Sequence, residues 1–156
     1  MTVLGDWQLQ LQIILQVAVA MLLGGLVGVE RELANKPAGF RTHTLVAGAA
    51  ALFVGLADVL IRRFSGEGLG GILRTDPIRI VEAIITGISF LGAGTIFRRD
   101  TPDHVEGLTT AASILLVAAI GISVALGQYV LAFGVTVLSL FVLRAVKVIE
   151  SALRRR

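Results

Sequence analysis

Chemistry in this 156-residue chain has to come from few side chains, since only 16% are charged and cysteine is absent. The densest group lies in Gly25 to Val46, GLVGVERELANKPAGFRTHTLV. It sets Glu30, Arg31 and Glu32 at the end of one apolar run and Arg41, Thr42 and His43 at the start of the next. Between them comes the turn Lys36-Pro37-Ala38-Gly39, in which proline fixes one backbone angle and glycine permits a tight bend. The turn is expected to bring Glu30 back to Arg41. Two further strings end and begin apolar runs on the same side. GISFLGAGTIF, Gly87 to Phe97, supplies Gly92, Gly94 and Thr95, small enough for another backbone or a ligand to approach. VEGLTTAASI, Val105 to Ile114, supplies Gly107, the hydroxyls of Thr109, Thr110 and Ser113, and the free N–H groups of a helix start.

These groups are expected to converge on one surface. A cluster of Glu30, Arg41, His43 and Thr110 either holds the loops in a recognisable shape or senses an ion or proton, His43 being the pH-sensitive member. The architectural alternative has Glu30 pairing with Arg41 to close the loop and the threonine hydroxyls capping the following helix. At the other end of the runs, Asp58 and Glu82 stand at similar depth, reckoned at about 1.5 Å per residue. They form either a shallow cation-attracting vestibule or, the favoured reading, ion pairs with Arg62 and Arg79. A Mg²⁺ ion wants several oxygens and keeps much of its water, so two carboxylates make a thin set. A hydrolase built on Ser113 with His43 or His104 lacks a nucleophile elbow, and both histidines fall in loops. The chain reads as a non-enzyme without a cofactor.

The elements that position these residues follow from composition. Apolar residues make up 55% of the chain and the mean hydropathy is +0.86, which excludes an ordinary soluble domain. Eighteen glycines against 3 prolines exclude disorder and collagen. Five membrane spans are expected, at about 11–29, 44–61, 78–97, 107–126 and 129–149, in a single domain over 1–156. The fold class is therefore all-α, a polytopic membrane helix bundle. The first run lacks the basic start of a secretory signal and is expected to remain as a span. The short Gly127-Gln128 connection makes the last two spans antiparallel neighbours.

Placing the N-terminus outside puts ten Lys and Arg residues on the cytoplasmic side, against Arg62, Arg63, Arg74 and Arg79 on the other. The C-terminus is then cytoplasmic, and the excess of +3 belongs to loops facing anionic lipid rather than to nucleic-acid binding. Arg144, Lys147 and Arg154 to Arg156 snorkel to headgroups, and Trp7 anchors at the interface. Small residues at helix-packing spacing (Gly24 with Gly28, Ala47 with Ala51 and Gly55, Ala83 with Gly87, Ser89 with Ala93, Gly121 with Ala125) mark faces where backbones close in. They exceed what a compact monomer obviously uses, so a homodimer is expected.

Taken in order, ERE-x(3)-KPAGFRTH, FLGAGTI and GLTTAAS resemble the MgtC/SapB family of bacterial inner-membrane proteins, from about Gly24 to Gly127. The matching positions are Gly28, Glu30, Arg31, Lys36, Gly39, Arg41, Thr42 and His43, then Gly87, Phe90, Leu91, Gly92, Gly94 and Thr95, then Gly107 to Ser113. The resemblance implies a multi-pass plasma-membrane protein linked to growth in low Mg²⁺ and, in pathogens, to survival in macrophages, in some members by restraining the ATP synthase. Many members continue into a soluble domain beyond the fifth span, where this sequence ends at Arg156. Leu115 stands where members commonly carry tryptophan. The resulting expectation is a regulator of Mg²⁺ homeostasis or membrane energetics that docks on other membrane proteins, with a Mg²⁺ or other cation transporter or channel as the alternative.

Overall fold

A computed structural model describes residues 7–65, 77–98 and 105–153. Five helices account for nearly all of them: α1 Trp7–Leu33, α2 Phe40–Ser65, α3 Pro77–Ala93, α4 Leu108–Ala125 and α5 Tyr129–Leu153. The expected all-α bundle is what the chain forms. Helices α1, α4 and the Phe40–Arg62 stretch of α2 are long and apolar enough to cross a membrane. The 17-residue α3 and the apolar Tyr129–Ala145 stretch of α5 are shorter. Burial is inverted relative to a soluble domain, because many large apolar side chains point outward, Phe90 at 81% exposure and Phe141 at 70%, while alanines fill much of the interior.

Two helices overrun their expected bounds, and the reason bears on the site. Charge does not stop a helix, and Glu, Arg and Leu are good helix formers, so α1 continues through Glu30, Arg31 and Glu32 to Leu33. It ends where Asn35 turns left-handed at φ 53°. There the Lys36 N–H reaches the Arg31 carbonyl at 3.0 Å and the Asn35 N–H reaches that of Glu32 at 2.9 Å, satisfying carbonyls left free by the helix end. Helix α2 begins at Phe40 rather than Thr44, which carries Arg41, Thr42 and His43 into the helix.

Helix α4 is the hub. It touches each of the other four helices and buries residues around most of its circumference, from Thr110 and Ser113 to Ile122 and Val124. The closest approaches use small residues. A Cβ on Gly24 would stand 2.5 Å from that of Ala47, one on Gly28 would stand 2.8 Å from Phe40 Cα, and one on Gly121 would overlap the Ala47 carbonyl. Gly55 meets Ile13, and Ala51 is buried. The expected stripe on α3 fails: Gly87 has nothing within 4 Å, and Ala83, Ser89 and Ala93 are exposed. Instead α3 turns Ile84 and Ile88 inward and sets Gly92 against Ala111, one face at four-residue steps. Beyond it, Phe97–Arg98 pairs antiparallel with Val105–Glu106, a two-residue ribbon unforeseen from the sequence.

Candidate functional site

Where α1 ends and α2 begins, the bundle encloses a polar layer. Glu30 and Arg31 are 6% and 4% exposed, and Arg31 Nε donates to Glu30 Oε2 at 2.6 Å. His43 is 0% exposed. Its Nδ1 lies 2.9 Å from the Gly39 carbonyl oxygen, and its Nε2 lies 2.9 Å from Ser113 Oγ, across the α2–α4 contact. Ser113 Oγ donates to the Thr110 carbonyl at 2.8 Å, and Thr110 is itself buried. Groups from α1, α2 and α4 thus share one dry layer.

Its composition corrects the sequence reading in three places. Glu30 pairs with Arg31 and not with Arg41, which is exposed. Residues two apart on a helix point about 200° apart at 100° per residue, so an inward His43 forces Arg41 outward. The side chain that closes the loop is Glu32, whose Oε2 accepts the Phe40 N–H at 2.8 Å and neutralises part of the positive end of α2. Gly39 lets Glu32 lie close against the turn, since a Cβ on it would stand 2.7 Å from that same oxygen and 3.2 Å from Glu32 Cβ. Nor do threonine hydroxyls cap α4: Gly107 is the cap residue, with no side-chain hydrogen bond. Finally, His43 and Ser113 do meet, against the expectation that both histidines lie in loops. His104 falls outside the described residues.

The second and third motifs lock α3 to α4. Gly107 has φ 93°, open to glycine, and a Cβ there would overlap the Thr95 carbonyl. Thr95 Oγ1 donates to the Gly92 carbonyl at 2.7 Å. Lys36, Thr42, Gly94 and Thr109 remain on the outside, so the expected single surface divides into a buried layer and an exposed rim. The sequence reading also missed Thr44, whose buried Oγ1 has no hydrogen-bond partner, and Gln16, whose Nε2 donates to the Ala125 carbonyl at 3.2 Å. A signal for His43 existed: it continues the Ala47, Ala51, Gly55 stripe one turn earlier, on the same helix face.

At the far end, Arg62 Nε donates to Asp58 Oδ2 at 2.8 Å, with side chains 67% and 48% exposed. Glu82 is exposed, and its carbonyl accepts from Thr86 Oγ1. Among the described residues, no group of three or more His, Cys, Asp or Glu side chains could hold a metal. With Asp58 committed to Arg62 and Glu30 to Arg31, the donor set does not fit a Mg²⁺ site, which needs several converging oxygens. What the polar layer offers is hydrogen bonding and proton exchange. Ser113 itself is 5% exposed.

The family model described as MgtC family matches residues 17–152. YhiD of Escherichia coli (strain K12), whose name gives it a provisional magnesium-transporter role, is 39% identical over 137 residues, covering 85% of this chain and 59% of that protein. Protein SapB of Bacillus subtilis (strain 168) is 32% identical over 150 residues, covering 96% of this chain and 62% of its own length. Protein MgtC of Brucella abortus (strain 2308) is 43% identical over 105 residues, which are 67% of this chain and 39% of that protein. The chain therefore spans less than two thirds of the length of these relatives. No solved structure matches it. The chain belongs to the MgtC family, and it is a membrane protein.

Proposed function

We propose that this MgtC-family chain is a non-enzymatic protein of the bacterial inner membrane, N-terminus outside, that supports Mg²⁺ homeostasis or membrane energetics by docking on other membrane proteins. The observation that carries this reading is the state of its ionisable groups. Glu30 and Arg31 neutralise each other inside the bundle. Below them the core is Val27, Ala47, Ala50, Ala51, Val117, Ala118 and Ile120, with no buried carboxylate among the described residues there to carry a cation onward. The exposed rim of Lys36, Arg41, Thr42 and Thr109 supplies a polar surface for a partner. The small-residue faces make a second copy of the chain one candidate, and the ATP synthase is the candidate that the family resemblance suggests. No cofactor is assigned.

The alternative, a Mg²⁺ or other cation transporter, draws on the name given to YhiD. Purified protein in sealed liposomes containing a Mg²⁺ indicator, beside empty vesicles, separates the two. The docking reading predicts no saturable flux from folded, inserted protein, and no difference on Glu30→Gln or Glu82→Gln. Saturable flux that these changes reduce would establish the transporter and refute docking as the primary role.

A further inference from the structure

His43 makes more contacts than a neutral imidazole can fill. Its Nδ1 faces the Gly39 carbonyl, its Nε2 faces Ser113 Oγ, and Ser113 Oγ faces the Thr110 carbonyl, at 2.9, 2.9 and 2.8 Å. Each contact needs one proton, and the two outermost groups are carbonyls that can only accept. Neutral histidine brings one N–H and serine one O–H, two protons for three contacts. With Nδ1–H on Gly39, the Ser113 hydroxyl must choose between Nε2 and Thr110, and the contact it leaves sets lone pair against lone pair. Water cannot relieve that opposition around a ring with no exposed surface.

We propose that this layer is a proton-binding site, formed by the Gly39 carbonyl, His43, Ser113 and the Thr110 carbonyl, which ties α2 to α4 more tightly when occupied. The step conserves every atom. A hydronium ion of the aqueous phase gives up one proton and becomes water, Nε2 gains that proton, Ser113 turns its O–H from Nε2 to the Thr110 carbonyl, and no bond between heavy atoms changes. The occupied site has Nδ1–H donating to Gly39, Nε2–H to Ser113 Oγ, and Ser113 O–H to Thr110. The charges facing it come from α1 and are those of Arg31 and Glu30. Helix α4 contributes only the uncharged Ser113 and Thr110. Since Glu30 and Arg31 pair with each other, the bound proton gives the layer its net charge. Uptake sets a third hydrogen bond against charge held away from water, so occupancy follows the acidity at that membrane face. The inference goes beyond the proposed docking role and does not depend on it.

The test is ¹⁵N NMR of histidine-labelled protein in lipid nanodiscs, with His104→Gln leaving one imidazole, titrated over roughly pH 4 to 9. Acidification is expected to add a second ring N–H while helix content, followed by circular dichroism, stays constant, and both N–H protons are expected to be hydrogen-bonded. Ser113→Ala removes the acceptor that the new N–H needs and is expected to weaken proton affinity about tenfold, about one pH unit in the midpoint. A ring that stays singly protonated throughout, or a Ser113→Ala titration superimposed on that of the parent, would overturn the site. If Ser113→Ala does not fold, the parent ring decides. Two hydrogen-bonded N–H protons in an intact bundle support the site, and a second proton gained only as helix content collapses refutes it.

Discussion

The two ends of the bundle use their ionisable side chains in opposite ways. At one end Glu30, Arg31 and His43 are buried, and the layer they form draws on α1, α2 and α4. At the other, Asp58 finds its partner one turn along its own helix, and both side chains of that pair remain largely in the open. The difference lies in the neighbours. Gly24, Gly28 and Ala47 let α1 and α2 close around His43, and Gly121 lets α4 approach the same stripe, whereas the corresponding glycine of α3, Gly87, faces open space. An ionisable residue at a span boundary becomes part of an interhelical site only where small residues let backbones approach.

That contrast is open to direct attack. The largest effect is expected from Glu30→Gln, which strands the Arg31 charge in a dry layer and is predicted to destabilise the bundle by about 3–5 kcal/mol, measured by denaturation in detergent micelles. A loss below about 1 kcal/mol would mean that water reaches the pair. Next comes Gly121→Val, which drives a side chain into the Ala47 backbone and is predicted to cost about 1–3 kcal/mol or more. Gly87→Val, in the same assay, should stay within about 0.5 kcal/mol. Equal losses at the two glycines would show that α3 packs through its small-residue face after all, for instance against a second copy of the chain.

Much of the fold was legible because lipid imposes it. Long uncharged runs can satisfy their backbone only as helices, so five spans were expected; five helices are present among the described residues, three of them long and apolar enough to cross a membrane. Gly24 and Gly28 were readable as a packed face for the same reason. Helix ends were not, since termination here depends on local hydrogen bonds rather than on hydropathy: α1 stops at a left-handed Asn35, well past its last apolar run, and α2 starts at Glu32's carboxylate. That shift cost the sequence reading its central contact. With His43 placed in a loop, its meeting with Ser113, 70 residues away, could not be foreseen, and Arg41 was given the role of Glu30's partner, which Arg31 holds. The α3 stripe was overread because spacing identifies a face without saying what lies opposite, and the inward face holds Ile84 and Ile88 instead.

The central claim is that one end of the bundle is an interhelical polar unit and the other holds a local pair, Asp58 with Arg62. Paired double-mutant cycles measure that difference most directly, His43→Gln with Ser113→Ala at one end and Asp58→Asn with Arg62→Gln at the other, each read as unfolding free energy in the same micelle. The account predicts a coupling of at least about 1 kcal/mol between His43 and Ser113 and under about 0.5 kcal/mol between Asp58 and Arg62, as for exposed pairs one helical turn apart. Additive losses at His43 and Ser113, or an equal coupling at both ends, would contradict it.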